Sequence, residues 1–158
     1  MKITAQEEYG LRCLLQLARR ASDAKPVTVR EVAASEGLSL SYAEKLLRVL
    51  SSAGLAESIR GARGGYRLLA SPKQITVGDA VRALGGFSNQ HQICARYTGN
   101  EDTCVHHGDC NIRPLWGRVH DEVEKVLDGV TLSTLLEPPP RHAPTVPLSS
   151  IDLEGGSQ

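Results

Sequence analysis

The residues of this chain best suited to chemistry lie between His91 and Trp116, in the stretch HQICARYTGNEDTCVHHGDCNIRPLW. Cys94, Cys104 and Cys110 stand there with nine and then five residues between them, beside His91, His106 and His107. Gly85, Gly86, Ser88, Asn89, Gly99, Asn100 and Gly108 mark the segment as loop. Soft thiolates on one flexible segment suit an iron–sulphur cluster or zinc. Three cysteines leave one coordination position open. The candidates are His106, His107, His91, solvent, or a residue from elsewhere in a dimer. Cys94, Cys104, Cys110 and His107 could equally close a tetrahedral structural zinc site, and a metal-free thiol switch would use the same cysteines. Cys110 is expected one residue before a helix, where unpaired backbone N–H groups and the helix dipole favour a thiolate. The fourth cysteine, Cys13, falls inside a predicted helix and reads as a small buried hydrophobe. No nucleophile stands with a base and an orienting group, so an enzyme is not expected.

The elements that must position this loop can be read on both sides of it. After Cys110, Ile112, Leu115, Trp116, Val119, Val123, Val126 and Leu127 recur at helical spacing. A seam this long at the end of a small domain predicts pairing with its twin in a homodimer, which suits a palindromic operator on double-stranded DNA. Thr131–Leu136 adds a short helical turn. The remainder, EPPPRHAPTVPLSSIDLEGGSQ, reads as a disordered tail.

Before the loop, Thr4 and Glu7 form a capping-box pattern, and Leu11, Leu14, Leu15 and Ala18 give the first helix an apolar face. Glu8 and Arg12 lie one turn apart on another face, the spacing of an exposed ion pair. A second capping box at Thr28 and Glu31 opens a short helix closed by Gly37. A third helix starts near Ser39 or Ser41 and buries Ala43, Leu46, Leu47 and Leu50. Two short helices about a glycine turn predict a helix-turn-helix. Its second helix would present Ser39, Ser41, Tyr42, Lys45 and Arg48 to the major groove. LAESIR–GARGG–YRLLA then reads as a hairpin wing, with Arg60 and Arg63 at its tip and Arg67 on the returning strand. Thr76 opens a fourth helix, VGDAVRAL.

Charge supports this division. The chain is neutral overall, yet residues 1–75 hold 12 Lys/Arg against 7 Asp/Glu, and residues 76–158 hold 6 against 11. A basic half beside an acidic half outlines a nucleic-acid module joined to a different one. Nothing in the sequence suggests a membrane span or a signal peptide, and clustered cysteines fit a cytoplasmic setting better than a disulfide framework. The expected organisation is a DNA-binding domain over 1–84, a cysteine loop over 85–110, a dimerisation helix and turn over 111–136, and a tail over 137–158. The fold class is mainly α, a winged helix-turn-helix with a small β-hairpin wing and a long C-terminal dimerisation helix.

The opening MKIT…Y-G-L-R, the recognition segment GLSLSYAEKLL, the wing RGARGGYRL, ITVGDAVRAL, the cysteine loop and C-x-x-x-P-L-W occur in this order. The chain thereby resembles the Rrf-two family of winged-helix transcription regulators, of the IscR and NsrR iron–sulphur cluster type, over roughly residues 1–136. The resemblance implies a homodimer whose long helices cross. It also implies a cluster held between the three-cysteine loop and the first helix of the partner, by Cys94, Cys104 and Cys110. Where some members carry a histidine ligand, this chain has Arg113, which cannot ligate, and at another such position it has Arg12. Relatives with a carboxylate on the first helix point to Glu8, donated from the partner chain, as the fourth ligand, with His106 or His107 as the alternative. That donor set favours 4Fe–4S over 2Fe–2S. The implied function is transcription regulation, as a repressor, under control of redox state, nitric oxide or iron–sulphur status.

Overall fold

The structure, a computed structural model, describes residues 3–23, 25–61, 64–86, 97–106 and 108–138. The first helix, α1, spans Ala5–Arg19. The Thr4 hydroxyl accepts the Glu7 N–H at 3.2 Å, and the Glu7 carboxylate accepts the Thr4 N–H at 2.7 Å. Two donors that the first turn would leave orphaned are thus satisfied reciprocally. The same box closes between Thr28 and Glu31 at the start of α2, Val29–Glu36. Gly37, at φ +65°, ends α2 in the left-handed region. The third helix, α3, spans Leu40–Ser52, with Ser39 as its cap. Ala43, Leu46, Leu47 and Leu50 are fully buried, as their i, i+3, i+4, i+7 spacing requires.

The wing is an antiparallel pair, β1 (Ala56–Ile59) and β2 (Gly65–Leu68), in register Ala56↔Leu68 through Ile59↔Gly65. Val27, just before α2, adds an isolated antiparallel bridge to the hairpin. It exchanges backbone hydrogen bonds with Tyr66 at 2.9 and 2.8 Å. Gly65 makes this possible, since a Cβ there would lie 2.4 Å from the Val27 carbonyl oxygen. The wing is therefore tied to the segment that leads into α2.

Among the described residues three helices follow: α4 (Val77–Ala83), α5 (Arg113–Asp128) and α6 (Leu132–Leu136). Leu14, Leu17, Val32, Leu46, Leu47, Leu50, Leu84 and Leu132 share one core. Leu132 is fully buried in it. One such side chain contributes about 1.5–3 kcal/mol, enough to hold the short α6 against α1. The junction is reinforced by the backbone, where the Val77 N–H donates to the Val130 carbonyl at 2.8 Å and the Leu132 N–H to the Ile75 carbonyl at 2.9 Å. Arg82 on α4 reaches Asp79 and Asp128 at 2.9 Å each. Gly78 leaves room for that contact, because a Cβ there would stand 1.8 Å from the Asp128 Oδ1.

In contrast, α5 buries none of its residues. Ile112 is 60% exposed and Leu115 56%, and Trp116, Val119 and Val126 are exposed too, so among the described residues most of the apolar seam is uncovered, while Val123 and Leu127 are half-buried. No helix among the described residues is long and apolar enough to cross a membrane.

Candidate nucleic-acid interface and cysteine loop

The exposed face of α3 carries Ser39, Ser41, Lys45 and Arg48. Their exposure follows from the helix period, because the opposite face is committed to the core. Ser39 spends its hydroxyl on the cap, accepting the Tyr42 N–H at 3.3 Å, and lies 3.3 Å from the Ser41 hydroxyl. Ser39 rather than Ser41 is the cap, so Glu44 has no capping role and instead pairs with Arg48 at 2.8 Å. Ser41, Lys45, Arg48 and Ser52 line one side of a shallow groove that Ala83 of α4 closes. Arg60, on the wing tip, is exposed, and the turn beside it uses Gly61 at φ +113°. Arg67 is tied to Glu57 across the hairpin. Arg63 lies outside the described residues.

Tyr42 differs from the expectation of a residue open to DNA. It is half-buried, and its ring meets the ring of Tyr9 edge to face, with centroids 6.2 Å apart and planes at 79°. Tyr9 in turn carries the Arg12 guanidinium 5.6 Å from its centroid. Arg12 pairs with Glu8 at 2.6 Å, both side chains about half exposed. The hydrogen bond and charge of Glu8 raise the Arg12 pKa above its ordinary value. A continuous contact chain therefore runs from Glu8 through Arg12 and Tyr9 to Tyr42 on α3. Sequence reading did not single out Tyr9, although its i,i+3 spacing to Arg12 was a signal for the stacking.

The cysteines separate into two environments. Cys13 is fully buried in the core, and burial pushes its thiol up to about 12, so it is inert at neutral pH. Cys104 and Cys110 are free thiols and half-buried, in the segment that leads into α5. His106 is exposed. Cys94, His91 and His107 lie outside the described residues. The helix after the loop starts later than expected. Ile112 is its N-cap position and Pro114 falls in the first turn, so Cys110 lies two residues before the cap. Among the described residues no three His, Cys, Asp or Glu side chains form a metal-holding group within one chain. Glu8 is on the outer face of α1. The donors fit an iron–sulphur or zinc site chemically, two accessible thiols being present, but only with a further donor brought to them.

A helix-turn-helix with a hairpin wing, basic exposed side chains on its second helix and an arginine at the wing tip define a winged-helix DNA-binding regulator. The chain belongs to the Rrf2 family, described as an iron-dependent transcriptional regulator, whose profile matches residues 3–138. It is 35% identical over 136 residues to protein rrf2 of Nitratidesulfovibrio vulgaris, covering 86% of this chain and 87% of that one. It is 36% identical over 135 residues to the transcriptional regulator CymR of Bacillus subtilis, covering 85% and 89%. The structure of CymR, titled the global cysteine regulator, superposes with a TM-score of 0.66. The structure of T. potens IscR does so with a TM-score of 0.66 at 33% identity, covering 86% of each chain. The protein is a DNA-binding transcription regulator of this class and not an enzyme.

Proposed function

We propose that the protein is a homodimer whose α5 helices pair along the Leu115–Val126 seam, and that it regulates transcription through an iron–sulphur cluster. In this reading α3 enters the major groove with Ser39, Ser41, Lys45 and Arg48, while Tyr42 braces the helix on Tyr9, and the wing brings Arg60 and Arg63 to the adjacent backbone or minor groove. The observation that carries the sensor reading is the placement of two half-buried free thiols, Cys104 and Cys110, immediately before an uncovered apolar helix face. The family resemblance implies that pairing of that face brings a second chain's α1 toward the loop. Cys94, Cys104 and Cys110 then supply thiolates, and Glu8 of the partner supplies the fourth ligand, with His106 or His107 as the alternative.

A cluster so held supplies a centre that oxidants, nitric oxide or iron shortage alter or remove; a hard carboxylate ligand makes it labile, and the donor set favours 4Fe–4S. The rest belongs to this chain's own residues. Glu8 engaged at the loop is withdrawn from Arg12, and Glu8 released returns to it. Arg12 bears on Tyr9 and Tyr9 on Tyr42, so the exchange reaches the recognition helix. A coupling of about 1–3 kcal/mol would change operator occupancy about 5–150-fold.

A second reading, a structural zinc site or a metal-free thiol switch on the same cysteines, is favoured by the two half-buried free thiols Cys104 and Cys110. Purification without oxygen, followed by visible absorbance and circular dichroism with iron, sulphide and zinc assays, separates the two. A brown protein with iron and acid-labile sulphide supports the cluster, and its bands distinguish the cluster types. A colourless protein with one zinc per chain moves the site to a structural role. DNA binding that follows the thiol redox state in metal-free protein identifies the switch.

A further inference from the structure

Between Thr4 and Leu84 the large apolar side chains are buried or half-buried, among the described residues, with two exceptions. They are Leu69, 58% exposed, and Leu40, 50% exposed. Leu69 lies at the base of the hairpin, where its N–H bonds the Leu55 carbonyl at 3.2 Å, away from the wing tip. Leu40 is the first residue of the recognition helix. The fold gives no reason for a leucine there, since the first helical turn accepts polar residues readily.

The side chains around it are occupied. Ser39 caps the helix, Tyr42 packs on Tyr9, and Glu44 and Arg48 hold each other. Leu40 is the uncommitted apolar group on the leading turn, followed in sequence by the exposed Ser41, and one turn on stands Glu44, whose carboxylate is held by Arg48. In the major groove the apolar feature of a base edge is the thymine 5-methyl group, which side chains recognise by contact. The exposed basic residues of the same helix, Lys45 and Arg48, match the phosphates that flank such a groove.

We propose that Leu40 reads a thymine methyl in each operator half-site. This rests on the major-groove docking of α3, and the test separates the two. The full chain is used to select duplexes from a random pool, and each thymine of the selected site is replaced in turn by uracil, which removes only the methyl. Wild type should lose about fourfold in affinity at one thymine per half-site, the worth of one buried methyl. Leu40→Ala should bind more weakly and be indifferent to that replacement, and Leu40→Met should retain the sensitivity. Unchanged helical circular dichroism and melting in both variants control for folding. A Leu40→Ala protein with wild-type sensitivity at every thymine overturns the proposal, as does a selected site without a methyl-sensitive thymine. Failure of wild type to select any sequence overturns the docking of α3 as well.

Discussion

The ring of Tyr9 on α1 meets the ring of Tyr42 on the recognition helix edge to face at 6.2 Å. An aromatic pair in this geometry contributes about 0.5–1.5 kcal/mol beyond its buried area. Tyr9→Leu, Tyr42→Leu and the double variant form a cycle whose coupling, measured by denaturant unfolding, should fall in that range. A coupling indistinguishable from zero would remove this contact from any route between α1 and α3.

The same route makes Glu8 testable. With Glu8→Ala the fourth ligand and the Arg12 partner are lost together. Operator affinity, measured by anisotropy with and without the bound cluster, should then become insensitive to cluster loss. A Glu8→Ala protein as responsive as wild type would sink the proposed coupling while leaving DNA binding untouched.

Close approach of α1 and α4 depends on Gly10. A Cβ there would stand 2.3 Å from the Leu84 Cδ2, and Leu84 is buried. Gly10→Ala gains about 1 kcal/mol in helix propensity but overpacks the core by about 1–3 kcal/mol. The net effect should be a loss of about 1 kcal/mol in chemical unfolding. A variant more stable than wild type would show that Leu84 repacks freely.

Acid sensitivity should arise at the second capping box. Hydrogen bonds from the Thr28 backbone, then its hydroxyl, and from Arg20 hold the Glu31 carboxyl down at about 2, against an ordinary 4.5. The Thr76 backbone bond depresses Asp79 in the same direction. A depressed carboxyl stabilises the fold above its unfolded pKa, and that stabilisation is lost as pH falls. Melting temperature should therefore drop between about pH 4.5 and 2, and Glu31→Gln should flatten part of that drop. An identical pH profile in Glu31→Gln would exclude this residue as a source.

Alkylation distinguishes the cysteine environments. In native metal-free protein at neutral pH, iodoacetamide should label Cys104 and Cys110 and spare Cys13, whose thiol is buried and raised to about 12. Peptide mass mapping reads this out. Rapid native labelling of Cys13 would mean that the α1 core opens locally.

What was legible in the sequence was what neighbouring residues decide. The Thr4 and Thr28 capping boxes, the α3 core face and the glycine-tipped wing each depend on residues a few positions apart, and each forms as read. The Val27 bridge to Tyr66 and the Tyr9–Tyr42 contact depend on segments more than thirty positions apart, and no local pattern announces them. Even local signals compete. Glu44 suits a cap on Ser41, yet Ser39 takes the cap and Glu44 turns to Arg48. α5 starts at Arg113 rather than directly after Cys110, because Pro114, whose missing N–H is harmless only in the first turn, belongs near the helix start. Cys104 and Cys110 are placed, but the assignment of Glu8 rests on family resemblance, because the partner that would deliver it is encoded in no pattern of one chain.

The tie between Arg82 and Asp128 holds one end of α5 to the head, where Val130 and Leu132 are also anchored. The cysteine loop joins the opposite end. Sixteen residues of helix span about 24 Å at 1.5 Å per residue. Such a rod works as a lever with its fulcrum at Asp128, and a tilt of about 5° there sweeps its far end by about 2 Å over that length. Motion at the thiols, were the proposed site to change its occupancy, would be geared down into a small rotation at the Arg82–Asp128 end.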